Sequence, residues 1–240
     1  MVSAILLRVS WETSLQKDTN RTGKVVLLRH GQTVWAETGQ YTGRTDIPLT
    51  QEGEQQARDA GERLRRQFPN GFESDYVFSS PLQRSRKTAE LAGFTQYHLL
   101  PDIMEWDYGR AEGRSPQQIN TMLGREWSLW DEGSLILGEA YEGDREEQLP
   151  DGEIVNVHNG RGETLDEVAQ RARGVIAQIE PMAKAGHDVL LVAHAHIIRI
   201  LASQWLGLDP HFAKLIRMGT AHYSVLDLYK GYRVIDGWNL

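Results

Sequence analysis

Short unbroken apolar runs alternate along this chain with longer stretches at helical spacing. Lys24–Leu28 (KVVLL) and Asp188–Ala193 (DVLLVA) have almost no polar interruption. Runs of this kind read as strands buried on both faces, the pattern of a parallel sheet. Tyr76–Ser79 (YVFS) is a third strand, halted by Ser80 and Pro81, while Ser224–Leu228 and Tyr232–Ile235 are candidate late strands. Between them the period changes. Thr50 is a candidate N-cap for a helix with Glu52 and Glu54 in its first turn, where the helix dipole favours acids. Ala57, Ala60, Gly61 and Leu64 then share one face. Ser80 as N-cap, with Pro81 at the first helical position, predicts a helix to Leu91 or Ala92 that stops at Gly93. A long helix is predicted over LDEVAQRARGVIAQIEPM, striped by Leu165, Val168, Ala169, Ala172, Val175, Ile176 and Ile179. A further helix, IIRILASQWLG, ends at Gly207.

Strands alternating with helices predict a three-layer α/β fold, a mainly parallel central sheet with helices on both faces. Residues 24–240 read as one domain, and residues 1–23 as an N-terminal extension or edge element. The apolar run Val2–Leu7 is too short for a membrane span and lacks the flanks of a signal peptide. No membrane association is expected, and the cytoplasm is the default location. Residues 94–162 are irregular and hold Trp106, Trp127 and Trp130, followed by the acidic GEAYEGDREEQLPDGE, read as a solvated loop. This stretch is expected to be an insertion that caps a pocket.

Charge narrows the partners. The 240 residues carry 26 basic and 33 acidic side chains, a net charge of -7, which disfavours general nucleic-acid binding. A small anionic substrate would need a local positive pocket against that background. The chain has no cysteine, so disulfides and thiolate catalysis are excluded. Oligomeric state is open, a homo-oligomer included.

Chemistry gathers where the strands end. The first runs into Arg29-His30-Gly31, the second into a helix carrying Arg84 near its start, the third into His194-Ala195-His196. In open α/β sheets, sites lie beyond the carboxyl ends of the strands, so these ends suggest one positive pocket aimed at an anion. Guanidinium groups match phosphate oxygens two at a time. A neutral histidine can attack phosphorus, and a second, kept protonated, can donate to a phosphate oxygen. Arginine and imidazolium supply the neutralising charge, so no metal or cofactor is called for. A proton donor for the leaving oxygen is still needed. Glu105 is the candidate, its carboxyl expected to be raised in pKa by a neighbouring ring, with Asp107 as rival. Strand alternation would send both to the same side and cannot separate them. His196 stays open between a site role and a packed or capping one. Glu112 is open between holding an arginine and plain exposure.

VVLLRHGQT, SSPLQRSRKTAE, EWDYGRAEG and LLVAHAH together resemble, in order, the motifs of the histidine phosphatase superfamily of phosphoglycerate mutases and related phosphatases. The resemblance covers roughly residues 24–228, with an apparent insertion near 134–160. It implies His30 as phosphorylated nucleophile, Arg29, Arg84 and His194 as phosphate pocket, and Glu105 as the acid that then activates water; it decides for Glu105 over Asp107. Three departures stand out. Ala36 occupies a position often held by asparagine, Ala195 replaces a glycine between two histidines, and Trp106 replaces an arginine that would grip a substrate carboxylate in the mutases. The last favours hydrolysis. GQYTGRTDIPLT with EWDYG is similar to a branch of sugar phosphatases, sedoheptulose bisphosphatase-like and acid-phosphatase-like, which implies Tyr41, Thr42, Gly43 and Tyr108 at the substrate end.

The expectation is a metal-independent phosphomonoesterase for a small phosphorylated metabolite, a sugar phosphate. The alternatives are a phosphoglycerate mutase and a phosphate-binding regulatory protein that has lost catalysis. Should His194 and Glu105 both need protons for the first step, activity should favour mildly acidic pH.

Overall fold

The computed structural model describes residues 22–240, so the extension expected over residues 1–23 lies outside the described residues apart from Thr22 and Gly23. Strand β1 (Val25–Arg29) leads to α1 (Val34–Thr38) and α2 (Gln51–Gln67), then β2 (Val77–Ser79), α3 (Gln83–Leu91) and β3 (His98–Leu99). The middle of the chain carries α4 (Pro116–Leu123), α5 (Leu129–Glu132) and the strands β4 (Arg145–Gln148) and β5 (Ile154–Val157). Helix α6 (Leu165–Lys184), β6 (Val189–Ala193), α7 (Ala195–Trp205), β7 (Tyr223–Tyr229) and β8 (Tyr232–Gly237) complete it.

The main sheet has the order β3-β2-β6-β1-β7-β8. Its first four strands run parallel, and β7 and β8 are antiparallel additions beside β1. Val25 to Leu28 are completely buried, as expected of a strand covered on both faces. Side chains alternate across the sheet: Val25 and Leu27 join a layer with α6 and α7, and Val26 and Leu28 one with α2 and α3. Among the described residues no helix is long and apolar enough to cross a membrane.

Register places the site. Arg29 pairs with Ala193 and Ser79 with Val192. His30, Ser80 and His194 therefore leave three neighbouring strands at one level.

Local signals account for most boundaries. The Thr50 hydroxyl accepts from the Gly53 N–H at 3.0 Å and starts α2. Thr164 and Glu167 form a reciprocal capping box that starts α6. Two expectations are corrected. Helix α3 begins at Gln83, not Pro81, with Leu82 at the N-cap and no side-chain cap bond. The Ser80 hydroxyl is instead 2.8 Å from a ring nitrogen of His194. The acidic segment is not a plain loop: it carries β4, which pairs antiparallel with β5 directly after it. Val155 and Val157 point inward and pack with Trp35, Ile47 and Leu149, while Ile154 and Asn156 face out. Burial of two alternating valines holds a hairpin that a charge count reads as solvated.

Candidate active site

His30 sits just past the end of β1 and is 5 % exposed. Its Nδ1 lies 2.7 Å from the Gly31 carbonyl oxygen, a pure acceptor, so Nδ1 carries the hydrogen and donates. The basic lone pair is then on Nε2. Burial, followed by the charges of Arg84 and Arg29, pushes the His30 pKa well below the usual histidine value. The ring is neutral at pH 7, as a nucleophile requires. Gly31 is demanded by a close approach: a Cβ there would lie 2.2 Å from the Gly53 carbonyl oxygen of α2.

Arg29 donates from Nη1 to the Met218 carbonyl at 2.6 Å, and its buried Nε has no partner. Burial pulls its pKa down to about 10, so it remains a cation at neutral pH.

Arg84 is completely buried. It donates from Nε to His194 Nδ1 (3.2 Å), from Nη1 to the Thr45 carbonyl (2.9 Å), and from Nη2 to the carbonyls of Thr42 (3.2 Å) and Gly43 (2.9 Å). His194 Nδ1 thus accepts, and Nε2 faces the hydroxyls of Ser80 (2.8 Å) and Ser85 (3.2 Å). The His30 and His194 rings meet edge to face with centroids 5.1 Å apart. Burial, Arg84 and His30 hold the His194 pKa well below the ordinary value. The expectation of a protonated His194 is therefore corrected: beside two guanidinium groups and out of water, the ring is neutral.

Glu105 and Asp107 do not share a side, because Met104–Asp107 is not a strand. Glu105 turns inward and is 4 % exposed. Its Oε1 accepts from the N–H groups of Trp106 (3.0 Å) and Ile197 (2.9 Å), and its Oε2 from the N–H of His196 (3.0 Å). Two of these donors belong to the first turn of α7, where unpaired N–H groups and the helix dipole favour an anion. Burial pushes the carboxyl up, but His196 and the α7 amides outweigh it and bring the pKa down to about 2. The expected rise is corrected, since the His196 side chain and backbone donors, not an apolar ring, set its surroundings. Asp107 accepts from the Gly109 N–H at 2.9 Å and lies 3.7 Å from both Arg44 and His158.

A cavity of about 180 Å³ opens on this cluster. Arg29, His30, Glu105, Tyr108 and His196 line it, together with Thr33, Trp35, Ala36, Tyr41 and Thr42. Arg84 and His194 lie one layer behind His30. Tyr41, Thr42 and Tyr108, which the resemblance implied at the substrate end, line this cavity. Gly43 does not line the cavity: a Cβ on it would meet Glu112 Oε1 at 2.3 Å and the Trp106 carbonyl at 2.5 Å, and its carbonyl serves Arg84. Ala36 presents no polar group to the cavity. Ala195 opens α7 in helical conformation, so the missing glycine brings no strain. Trp106 is buried, its indole N–H donating to the Glu163 carbonyl at 2.7 Å, and it does not reach the cavity.

Glu112 holds backbone, not an arginine side chain. Its Oε1 accepts from the Arg44 N–H (2.7 Å), and its Oε2 from the Thr45 N–H (2.8 Å) and hydroxyl (2.5 Å). It thereby anchors the loop whose carbonyls hold Arg84. Nothing local in the sequence points to Ser80, Ser85, Thr45 or Glu112 in this network, because their partners lie far along the chain. Among the described residues no group of three or more His, Cys, Asp or Glu side chains is placed to hold a metal ion.

Known proteins share this arrangement of chain. A yeast (Saccharomyces cerevisiae) sedoheptulose 1,7-bisphosphatase is 29% identical over 211 residues, 78% of this chain and 69% of its own. An acid phosphatase of Mycobacterium tuberculosis is 30% identical over 214 residues, covering 89% of this chain and 90% of its own. A 2,3-bisphosphoglycerate-dependent phosphoglycerate mutase of Bifidobacterium longum is 30% identical over 223 residues, 89% of each chain. Among solved structures, that of a Mycobacterium tuberculosis open reading frame superposes with a TM-score of 0.75 at 29% identity, covering 92% of this chain and 98% of that one. The model of the histidine phosphatase superfamily (branch 1) matches residues 25–240, and the chain belongs to that superfamily and is a phosphatase.

Proposed function

We propose that the enzyme hydrolyses the phosphomonoester of a small metabolite, a sugar phosphate, through a phosphohistidine on His30. The observation that carries this reading is the His30 ring: its Nδ1 hydrogen is spent on Gly31, its pKa is depressed, and it borders a cavity shared with Arg29 and Glu105. His30 Nε2 attacks phosphorus while Arg29 takes up phosphoryl oxygens. Arg84 adds positive charge from behind, where it also helps keep His30 neutral, and His194 accepts from Arg84 Nε and so holds the guanidinium in place. Glu105 passes a proton to the departing alcohol and then takes one from the water that hydrolyses the phosphohistidine. Charge on the arginines offsets the charge of the phosphoryl group, so the proposed steps need no metal.

The cavity lining supports a neutral organic portion. Tyr41, Thr42 and Tyr108 offer hydroxyls and rings, and Arg29 is the one arginine or lysine among the described lining residues. A phosphoglycerate, with a carboxylate to hold as well, finds no second cation there. Both the yeast bisphosphatase and the mycobacterial acid phosphatase named above are consistent with hydrolysis as the reaction.

The test is a panel of phosphorylated sugars and glycerates with free-phosphate detection, on wild type and His30→Ala. Release from sugar phosphates by wild type, abolished in His30→Ala, is the expected result. Equal release from both proteins would remove the nucleophile. Interconversion of 3- and 2-phosphoglycerate, primed by a bisphosphate, would decide for a mutase.

A further inference from the structure

The mechanism just proposed needs an acid in its first step, yet the free protein presents a carboxylate. Three backbone N–H groups converge on Glu105, and each would lose its acceptor in part if that group were protonated. The arrangement suits the second step, in which Glu105 takes a proton from water. The first step requires a proton from elsewhere.

Its surroundings point to one group. Oε2 receives a single backbone donor, whereas Oε1 receives two, so Oε2 keeps a lone pair free. The His196 Nδ1 lies 3.8 Å from that oxygen. The His196 side chain lines the cavity and is 19% exposed, so it exchanges protons with solvent when the site is open. Its position is tightly determined: the ring lies against Trp130, with centroids 5.1 Å apart, and edge-on to Trp106 and Tyr108. The Tyr108 hydroxyl is 2.7 Å from the same Nδ1. A phenol both donates and accepts, so it can satisfy Nδ1 whether or not the ring is protonated. The charged and titratable groups facing His196 are Glu105 and Tyr108 from the loop before α4, Arg199 from its own helix, and Arg29 from β1.

Resting on the phosphohistidine reading, we propose that His196 supplies, through Glu105 Oε2, the proton that the leaving alcohol takes up. An entering phosphate dianion adds negative charge beside His196 and opposes Arg29 and Arg199, which favours the imidazolium as substrate binds. In the first step His30 Nε2 forms the N–P bond as the P–O bond to the alcohol breaks, with its electron pair going to the alcohol oxygen. That oxygen takes the proton from Glu105 Oε2 as His196 Nδ1 delivers one to the carboxylate. In the second step water attacks phosphorus, the N–P electron pair returns to Nε2, and the water proton passes to Oε2 and back to His196. Acid and base are both regenerated. Tyr108 aims the ring, and His196 acts through Glu105 without touching the reacting atoms.

The test is leaving-group dependence. An alkyl phosphate such as glycerol phosphate expels a poor leaving group that needs a proton, whereas p-nitrophenyl phosphate expels one that needs far less. Loss of general-acid help costs roughly 10²–10⁴-fold. His196→Gln is expected to lower kcat/KM, which reports the step that expels the leaving group, by about 10²-fold on the alkyl ester, and at least about tenfold more than on the aryl ester. Glu105→Gln should show the same split, and the double variant should fall no further on the alkyl ester than Glu105→Gln alone. His196→Asn gives the same ratio should His196→Gln fold poorly. Equal losses on both esters, or no loss on the alkyl ester, would overturn the role of His196 and leave the phosphohistidine reading standing. Release from neither ester by wild type would overturn that reading and the proton path with it.

Discussion

At the scale of single residues, protonation decides the chemistry. Burial alone would push Glu105 up, and the His196 side chain together with the backbone N–H groups of α7 reverses that direction, because both stabilise the anion. The consequence for stability has a definite sign. A carboxyl held at about 2 in the folded state, against its ordinary 4.5, stabilises the fold above 4.5 and loses that contribution as pH falls toward 2. Urea unfolding of wild type and Glu105→Gln should therefore show a stability difference that narrows on acidification, by about 1 kcal/mol between roughly pH 7 and pH 3.5. A difference that stays constant or widens would contradict the backbone clamp. His30 shows the opposite arrangement. Burial and two guanidinium groups keep it neutral where an exposed histidine would begin to protonate, as the proposed nucleophile requires.

At the scale of elements, two glycines let α2 reach the end of β1. A Cβ on Gly31 would lie 2.2 Å from the Gly53 carbonyl oxygen, and one on Gly53 would lie 2.1 Å from the Gln32 carbonyl oxygen. Both clashes are with backbone, which cannot swing aside as a side chain can. Gly53→Ala is expected to push α2 away from the His30 loop, costing about 1–3 kcal/mol of stability and lowering kcat through misplacement of His30. Thermal unfolding and phosphate release check the two parts; a variant of unchanged stability and activity would show that the approach is looser than described. The α7 N-terminus is the other decisive element. It supplies two of the three donors to Glu105 and begins directly after His194, so one helix start arranges both groups.

At the scale of the whole molecule, the site exists because sheet register brings together residues remote in sequence. Arg29 pairs with Ala193, and Ser79 with Val192, so the ends of β1 and β6 open on one cavity while Ser80, after β2, meets His194 behind it. A chain of net charge -7 concentrates buried guanidinium groups there. Inorganic phosphate or vanadate should therefore stabilise the fold by about 2.7 kcal/mol at a hundred times its Kd, raising Tm by roughly 5–10 °C. The shift should vanish in Arg29→Ala, as differential scanning fluorimetry can show. A shift retained in that variant would place the anion elsewhere.

Much of this was legible in the chain. Unbroken apolar runs marked the buried strands, because a strand covered on both faces has no polar alternation. Thr50, Gly93 and Gly207 marked helix ends, because caps and left-handed residues are local requirements. The strand ends named Arg29, His30 and His194 as candidates for one site. The β4–β5 hairpin was not legible, since its two inward valines are outnumbered by acidic neighbours. Glu112 and Ser80 were not legible either, because a carboxylate or hydroxyl declares its partner only when distant backbone arrives.

By itself, then, the amino-acid order determined the buried strands of the main sheet and its long helices, where most of them stop, and which reactive groups stand at the stops. Those are consequences of spacing and of bonds within a few residues. Only the tertiary structure decided that Glu105 is ionised while His194 is neutral, that Gly43 serves Arg84 instead of the cavity, and that His196 lies beside Oε2 of Glu105. Each of those depends on burial and on hydrogen bonds between residues tens of positions apart, which no local pattern encodes.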